Sequence, residues 1–93
     1  MSDAMRLSAV AKITNKLGLH ARASVKLMEA ASRFKAHITV SKDGQSVDAR
    51  SLMDLMTLGG VLDSEVEICA EGEDAQEAMT AILALIKAKF GEE

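Results

Sequence analysis

The chain has 93 residues, 48% of them hydrophobic, a formal net charge of −3, two phenylalanines as its only aromatics and no proline. That is enough for one domain spanning 1–93, whose single core is built from aliphatic side chains, alanine and methionine, near the size at which stability is marginal. An acidic chain without tyrosine or tryptophan lacks the basic face and stacking platform of a single-strand nucleic-acid binder. No apolar run approaches the roughly 18 residues of a membrane span, and no charged leader precedes an apolar stretch. The one cysteine, Cys69, can form neither an internal disulfide nor a cysteine-based metal site, so a cytoplasmic setting is expected.

In chain order, Met1 to Ala4 reads as a loose terminus. Leu7, Ala9, Ala11 and Ile13 alternate with Ser8, Val10, Lys12 and Thr14, which predicts a strand over Arg6 to Thr14. Asn15-Lys16-Leu17-Gly18 turns the chain. A helix follows from about Ala21 to Phe34, with Val25, Leu27, Met28, Ala31 and Phe34 as its apolar positions and Arg22, Lys26, Glu29 and Arg33 on another stripe. Ala36 to Ser41 is a strand with Ile38 and Val40 on one face. Asp43-Gly44 is a hairpin signal, because a tight primed turn needs positive φ, and Gln45 to Ala49 is the return strand. Arg50 to Leu58, closed by Gly59-Gly60, suits a short helix.

Ser64 to Ala70 is a further strand, with Val66, Ile68 and Ala70 inward and Glu65, Glu67, Cys69 and Glu71 outward. Asp74 three residues before Glu77 predicts a capping box for the last helix. Its apolar residues Ala78, Met79, Ile82, Leu85, Ile86 and Phe90 keep a helical period, and Gly91 is its expected stop. Strand, helix, strand, strand, short helix, strand, helix is the pattern of an α+β sandwich with helices on one face of a mainly antiparallel sheet. Periodicity leaves the strand order open. Cys69 would lie on the open face among glutamates, an unusual place for a cysteine.

The chemistry is concentrated where a glycine turn delivers His20 to the first turn of the first long helix. The leading N–H groups there, near Ala21 to Ser24, have no carbonyl four residues back and carry the positive end of the helix dipole, so an anion is favoured. Histidine can be neutral near pH 7 and nucleophilic. The dipole contributes roughly 0.3–1 kcal/mol toward holding an anion, and a charge-assisted hydrogen bond from Arg22 about 1.5–3 kcal/mol. That is one to three powers of ten, firm enough to hold an anion and weak enough to release it. His37 falls on the polar face of its strand without an acidic or cysteine partner at metal spacing, so no metal site is expected.

Gly18-Leu19-His20-Ala21-Arg22 resembles the active-site motif of HPr, the histidine-containing phosphocarrier family of bacterial phosphotransferase systems. Arg50-Ser51-Leu52-Met53 with Met56-Thr57-Leu58-Gly59 resembles that family's regulatory-serine segment. Ala70-Glu71-Gly72-Glu73-Asp74-Ala75 with Ala78-Met79 resembles its lead into the last helix. The likeness runs from about Val10 to Ile86. It implies an open-faced β-sandwich with three helices on one side and strand order 1-4-2-3. It also implies a phosphoryl-transfer intermediate rather than a free-standing enzyme, without a cofactor of its own. His20 would accept a phosphoryl group on its δ nitrogen from phosphorylated Enzyme I and pass it to an EIIA-type protein. Arg22 and the backbone of Ala21, Arg22 and Ala23 would bind the phosphate.

Two positions depart from the commonest pattern of that family: Ala23 replaces the proline after the motif arginine, restoring one N–H donor, and Asp54 stands where many relatives carry glycine. Ser51 is the implied site of regulatory phosphorylation by a serine kinase, and a serine at a helix start is also an ordinary N-cap. If Leu55 and Leu58 face inward, Leu52, Met53 and Met56 are left largely outward, an apolar docking patch beside His20 edged by Arg22 and Lys26. The chain is expected to be a monomer. A nitrogen-related regulatory carrier with the same chemistry is the nearest alternative, and an ACT-like small-ligand module is a more distant one.

Overall fold

The computed structural model describes residues 5–92; the expectation for Met1 to Ala4 lies outside them. The elements are β1 (Met5–Lys12), α1 (Ala21–Ser32), β2 (His37–Lys42), β3 (Gln45–Asp48), α2 (Leu52–Leu58), β4 (Glu65–Gly72) and α3 (Ala75–Lys87), followed by a 3₁₀ turn over Lys89–Gly91. The sheet order is β1-β4-β2-β3 with every pair antiparallel. β4 pairs with β1 through Ala9 and Ile68 and with β2 through Thr39 and Cys69. Having both β1 and β2 antiparallel to β4 makes those two strands run the same way, so the connection through α1 crosses over the sheet and leaves β4 between them.

One face of the sheet is covered and the other is open. Ile38, Val40, Val47, Val66, Ile68 and Ala70 are buried on the covered face, where α3 packs on β1 and β4, α2 on β3 and β2, and α1 against both helices. The alternation expected for β2 and β4 is borne out. Cys69 is half-buried rather than solvated, because Arg6 on β1 lays its guanidinium over the sulfur, Nε donating to Sγ at 3.4 Å.

β1 ends at Lys12, short of Thr14. Ile13 is fully buried and bonds instead to the loop before β4: its N–H donates to the Ser64 carbonyl at 2.9 Å, and its carbonyl accepts from Asp63 at 2.8 Å. α1 ends at Ser32, two residues before Phe34. The Asp74 carboxylate accepts the amides of Lys35 at 2.9 Å and Ala36 at 2.8 Å, which draws the chain off the helix and into β2. Asp74 therefore makes no side-chain cap on α3, and the capping box is replaced by this longer-range clamp. Gly91 does not stop α3 either: the helix ends at Lys87, and Phe90 is buried from a left-handed conformation (φ +57°) beyond it. No helix among the described residues is long and apolar enough to cross a membrane.

Candidate functional site

The site is assembled from the β1–α1 loop, the loop after α2 and the chain end. Gly18 has φ +66°, and a Cβ there would lie 2.2 Å from the Gly60 carbonyl oxygen, so only glycine permits this approach. Leu19 then donates its N–H to that same oxygen at 2.8 Å and buries its side chain. Asn15, buried at the start of the loop, closes it by donating Nδ2 to the Gly18 carbonyl at 2.8 Å.

These contacts set His20 as the N-cap residue of α1, in extended conformation. Its carbonyl accepts the first intrahelical bond, from Ser24 at 2.9 Å, so the N–H groups of Ala21, Arg22 and Ala23 precede that bond and stay available to an anion. The ring makes no cap bond to the helix. Its Nε2 meets the Glu92 carboxylate, whose other oxygen accepts from Asn15 Nδ2 at 3.0 Å. The Asn15 amide first, and the His20 ring second, hold the Glu92 carboxyl below the usual carboxylate range. Lys16, Leu17, His20, Ala21, Arg22 and Glu92 line a surface cleft of about 660 Å³. Among the described residues no cluster of metal-ligating side chains occurs.

Residues 7–88 match the family model PTS-HPr, described as the PTS HPr component phosphorylation site. The chain belongs to the HPr family. It is 50% identical over 80 residues to the phosphocarrier protein HPr of Cupriavidus necator, spanning 86% of this chain and 90% of that protein. It is 40% identical to the phosphocarrier protein NPr of Shewanella violacea, spanning 94% and 96% of the two chains. The crystal structure of HPr-C-His from Thermoanaerobacter tengcongensis superimposes with a TM-score of 0.90 at 42% identity, over 94% of this chain and 98% of that one. An HPr-family chain with this fold is a phosphoryl carrier of a phosphotransferase system, and its partners are enzymes of that system. The ACT-like alternative falls to the same match.

Of the residues singled out in the sequence, His20, Ala21 and Arg22 come together in the cleft, with Arg22 exposed and Ala23 buried beneath. Lys26 departs from its expected place at the edge. It is half-buried, and its ammonium donates to the Phe90 carbonyl at 2.6 Å, so Arg22 and Lys16 are the cationic side chains in the cleft. Ser51 is the N-cap of α2, its Oγ accepting from the Asp54 amide at 3.3 Å. Leu55 and Leu58 face the core and Met53 and Met56 are exposed, as expected, whereas Leu52, the first residue of α2, is half-buried rather than largely outward. Exposed Leu17, Val61 and Leu62 add apolar surface on the two loops joined at Gly60.

Two residues of the site escaped the sequence reading. Asn15 looked like an ordinary turn residue, and Glu92 followed a glycine taken as a helix stop. Nothing in local periodicity points to a contact between residues 72 positions apart.

Proposed function

We propose that His20 is the phosphoryl-accepting residue of this HPr-family carrier, reacting through Nδ1 with phosphorylated Enzyme I and giving the group to an EIIA-type protein in the cytoplasm. The observation that carries the reading is the placement of His20 at the N-cap of α1, its ring free of any cap bond and opening onto the cleft that Arg22 lines. The N–H groups of Ala21, Arg22 and Ala23 and the Arg22 guanidinium receive the phosphoryl oxygens. Ser51 is the regulatory phosphorylation site, acted on by a serine kinase. Met53 and Met56, with the partly covered Leu52, form the apolar centre of the docking surface, and Arg22 lies at its charged edge.

Incubation with Enzyme I and phosphoenolpyruvate should produce an acid-labile, base-stable adduct, and His20→Ala should abolish it. Undiminished labelling of that variant would remove His20 from the reaction. Likeness to an NPr protein over 94% of the chain favours, as a second reading, a regulatory branch with the same chemistry. Offering the labelled carrier both a sugar-specific and a nitrogen-related EIIA distinguishes the two by which acceptor drains the label.

A further inference from the structure

β1 is an edge strand, with β4 on one side of it and no strand on the other. Such an edge leaves alternate backbone N–H and carbonyl groups without ladder partners, and an extended chain can pair with them. Beside the end of this strand a cleft of about 430 Å³ opens between β1 and α3. Its floor is apolar, with Ala11 of β1 and Leu83 and Ile86 of α3, and its rim carries Lys12, Lys87 and Lys89. All three lysines are exposed. Glu65 is the register partner of Lys12, yet no ion pair forms between them, and among the described residues none of the three ammonium groups meets a carboxylate. In a chain of net charge −3 this is a local excess of positive charge over an apolar floor. Cations suit the negative end of α3, and a lysine on an edge strand discourages unwanted pairing. Neither reason requires Lys12, Lys87 and Lys89 to converge on one cleft.

We propose that the outer edge of β1 and this cleft form a docking site, separate from the surface on α2, that takes an extended acidic segment of a partner protein by strand addition. The added strand continues the sheet beyond β1, its backbone pairing with the free edge. Its alternate apolar side chains enter the cleft against Leu83 and Ile86, and acidic residues at the end beside Lys12 meet the lysines. A small anion would use the lysines alone, and a docked helix would leave the edge unpaired. An extended acidic segment uses both features. The cleft shares no lining residue with the one that holds His20. A partner held at the β1 edge therefore leaves His20 open, and the site stands whether or not His20 is the phosphoryl acceptor.

The test titrates the full chain, labelled with nitrogen-15, with the blocked peptide Glu-Glu-Glu-Val-Thr-Val-Thr-Val, which is as long as β1. The largest amide shifts should fall in residues 5–14 and 83–89, with those of His20 and Arg22 little moved. Lysine in place of the peptide's glutamates, or N-methylation of two neighbouring central residues of the peptide, should weaken binding about tenfold or more. The combined variant Lys12→Gln, Lys87→Gln and Lys89→Gln should keep its spectrum elsewhere and bind the peptide about tenfold more weakly, as three exposed ion pairs are lost, and added salt should weaken binding to the wild type. Undiminished binding of the N-methylated peptide would show that the edge is not used, and undiminished binding by the lysine variant that the charges are not; either would overturn the proposal. So would shifts centred on His20 and Arg22, or no shift up to about 1 mM peptide. Shifts of the β1 amides with the chain's own concentration, before any peptide is added, would give the edge to a second copy instead and overturn it as well.

Discussion

Leu19 donates its amide to the Gly60 carbonyl at 2.8 Å, and this bond joins the loop that carries His20 to the loop that leaves α2. The proposed phosphate site and the proposed docking helix are thereby fixed to one another. Gly18 makes the approach possible, because any side chain there would run into the same oxygen.

Gly18→Ala should separate the two loops. The new Cβ faces a backbone oxygen at 2.2 Å from a positive φ, which costs about 2 kcal/mol or more from strain and displacement. A thermal melt about 10 °C below wild type is expected for a chain of this size, with transfer from Enzyme I reduced as His20 moves.

Arg22→Ala should leave the fold intact and weaken the chemistry. The side chain is exposed on α1, so the melting temperature should stay within about 4 °C of wild type. Phosphoryl transfer should fall about tenfold, since one charge-assisted bond to the phosphoryl group is lost at a solvated site. Transfer at the wild-type rate would take Arg22 out of the site.

Ser51→Asp should slow transfer from Enzyme I far more than it lowers the melting temperature. The cap bond to the Asp54 amide can be made by an aspartate, which also suits a helix start. The added charge repels acidic partners, and raising the salt concentration should shrink the defect as the charges are screened. Equal transfer at low salt by variant and wild type would leave Ser51 as a helix cap alone.

Asp74→Ala tests the clamp between α3 and the start of β2 through its pH dependence. The Lys35 amide first, then that of Ala36 against some desolvation, holds the Asp74 carboxyl below its ordinary value of 3.8. A carboxylate lowered by folding contributes its stability in full above the unfolded value and loses it as the pH falls through the lowered folded value. Wild type should therefore melt above the variant at neutral pH, and the gap should narrow only below pH 3.8. A gap that closes between pH 7 and 5 would assign the effect to another group.

The number and type of the elements, the inward residues of β2 and β4, and the Asp43-Gly44 turn, with φ of +52° and +83°, were legible because each is written in neighbouring residues: a period of two, a period of 3.6, or a pair that tolerates positive φ. The Gly18-Leu19-His20-Ala21-Arg22 motif was legible for the same reason, since a helix start and its anion-favouring amides are local properties. Strand order was not, and only likeness to the family supplied it. Tertiary structure alone decided that α1 stops at Ser32, that Phe90 is buried from outside the helix, that Lys26 is taken up by the Phe90 carbonyl and that Glu92 reaches His20. Those outcomes join residues 38, 64 and 72 positions apart. A charged or polar side chain carries no local mark of which distant backbone or ring it will meet; that is settled when the helices close over one face of the sheet and most buried donors and acceptors are paired.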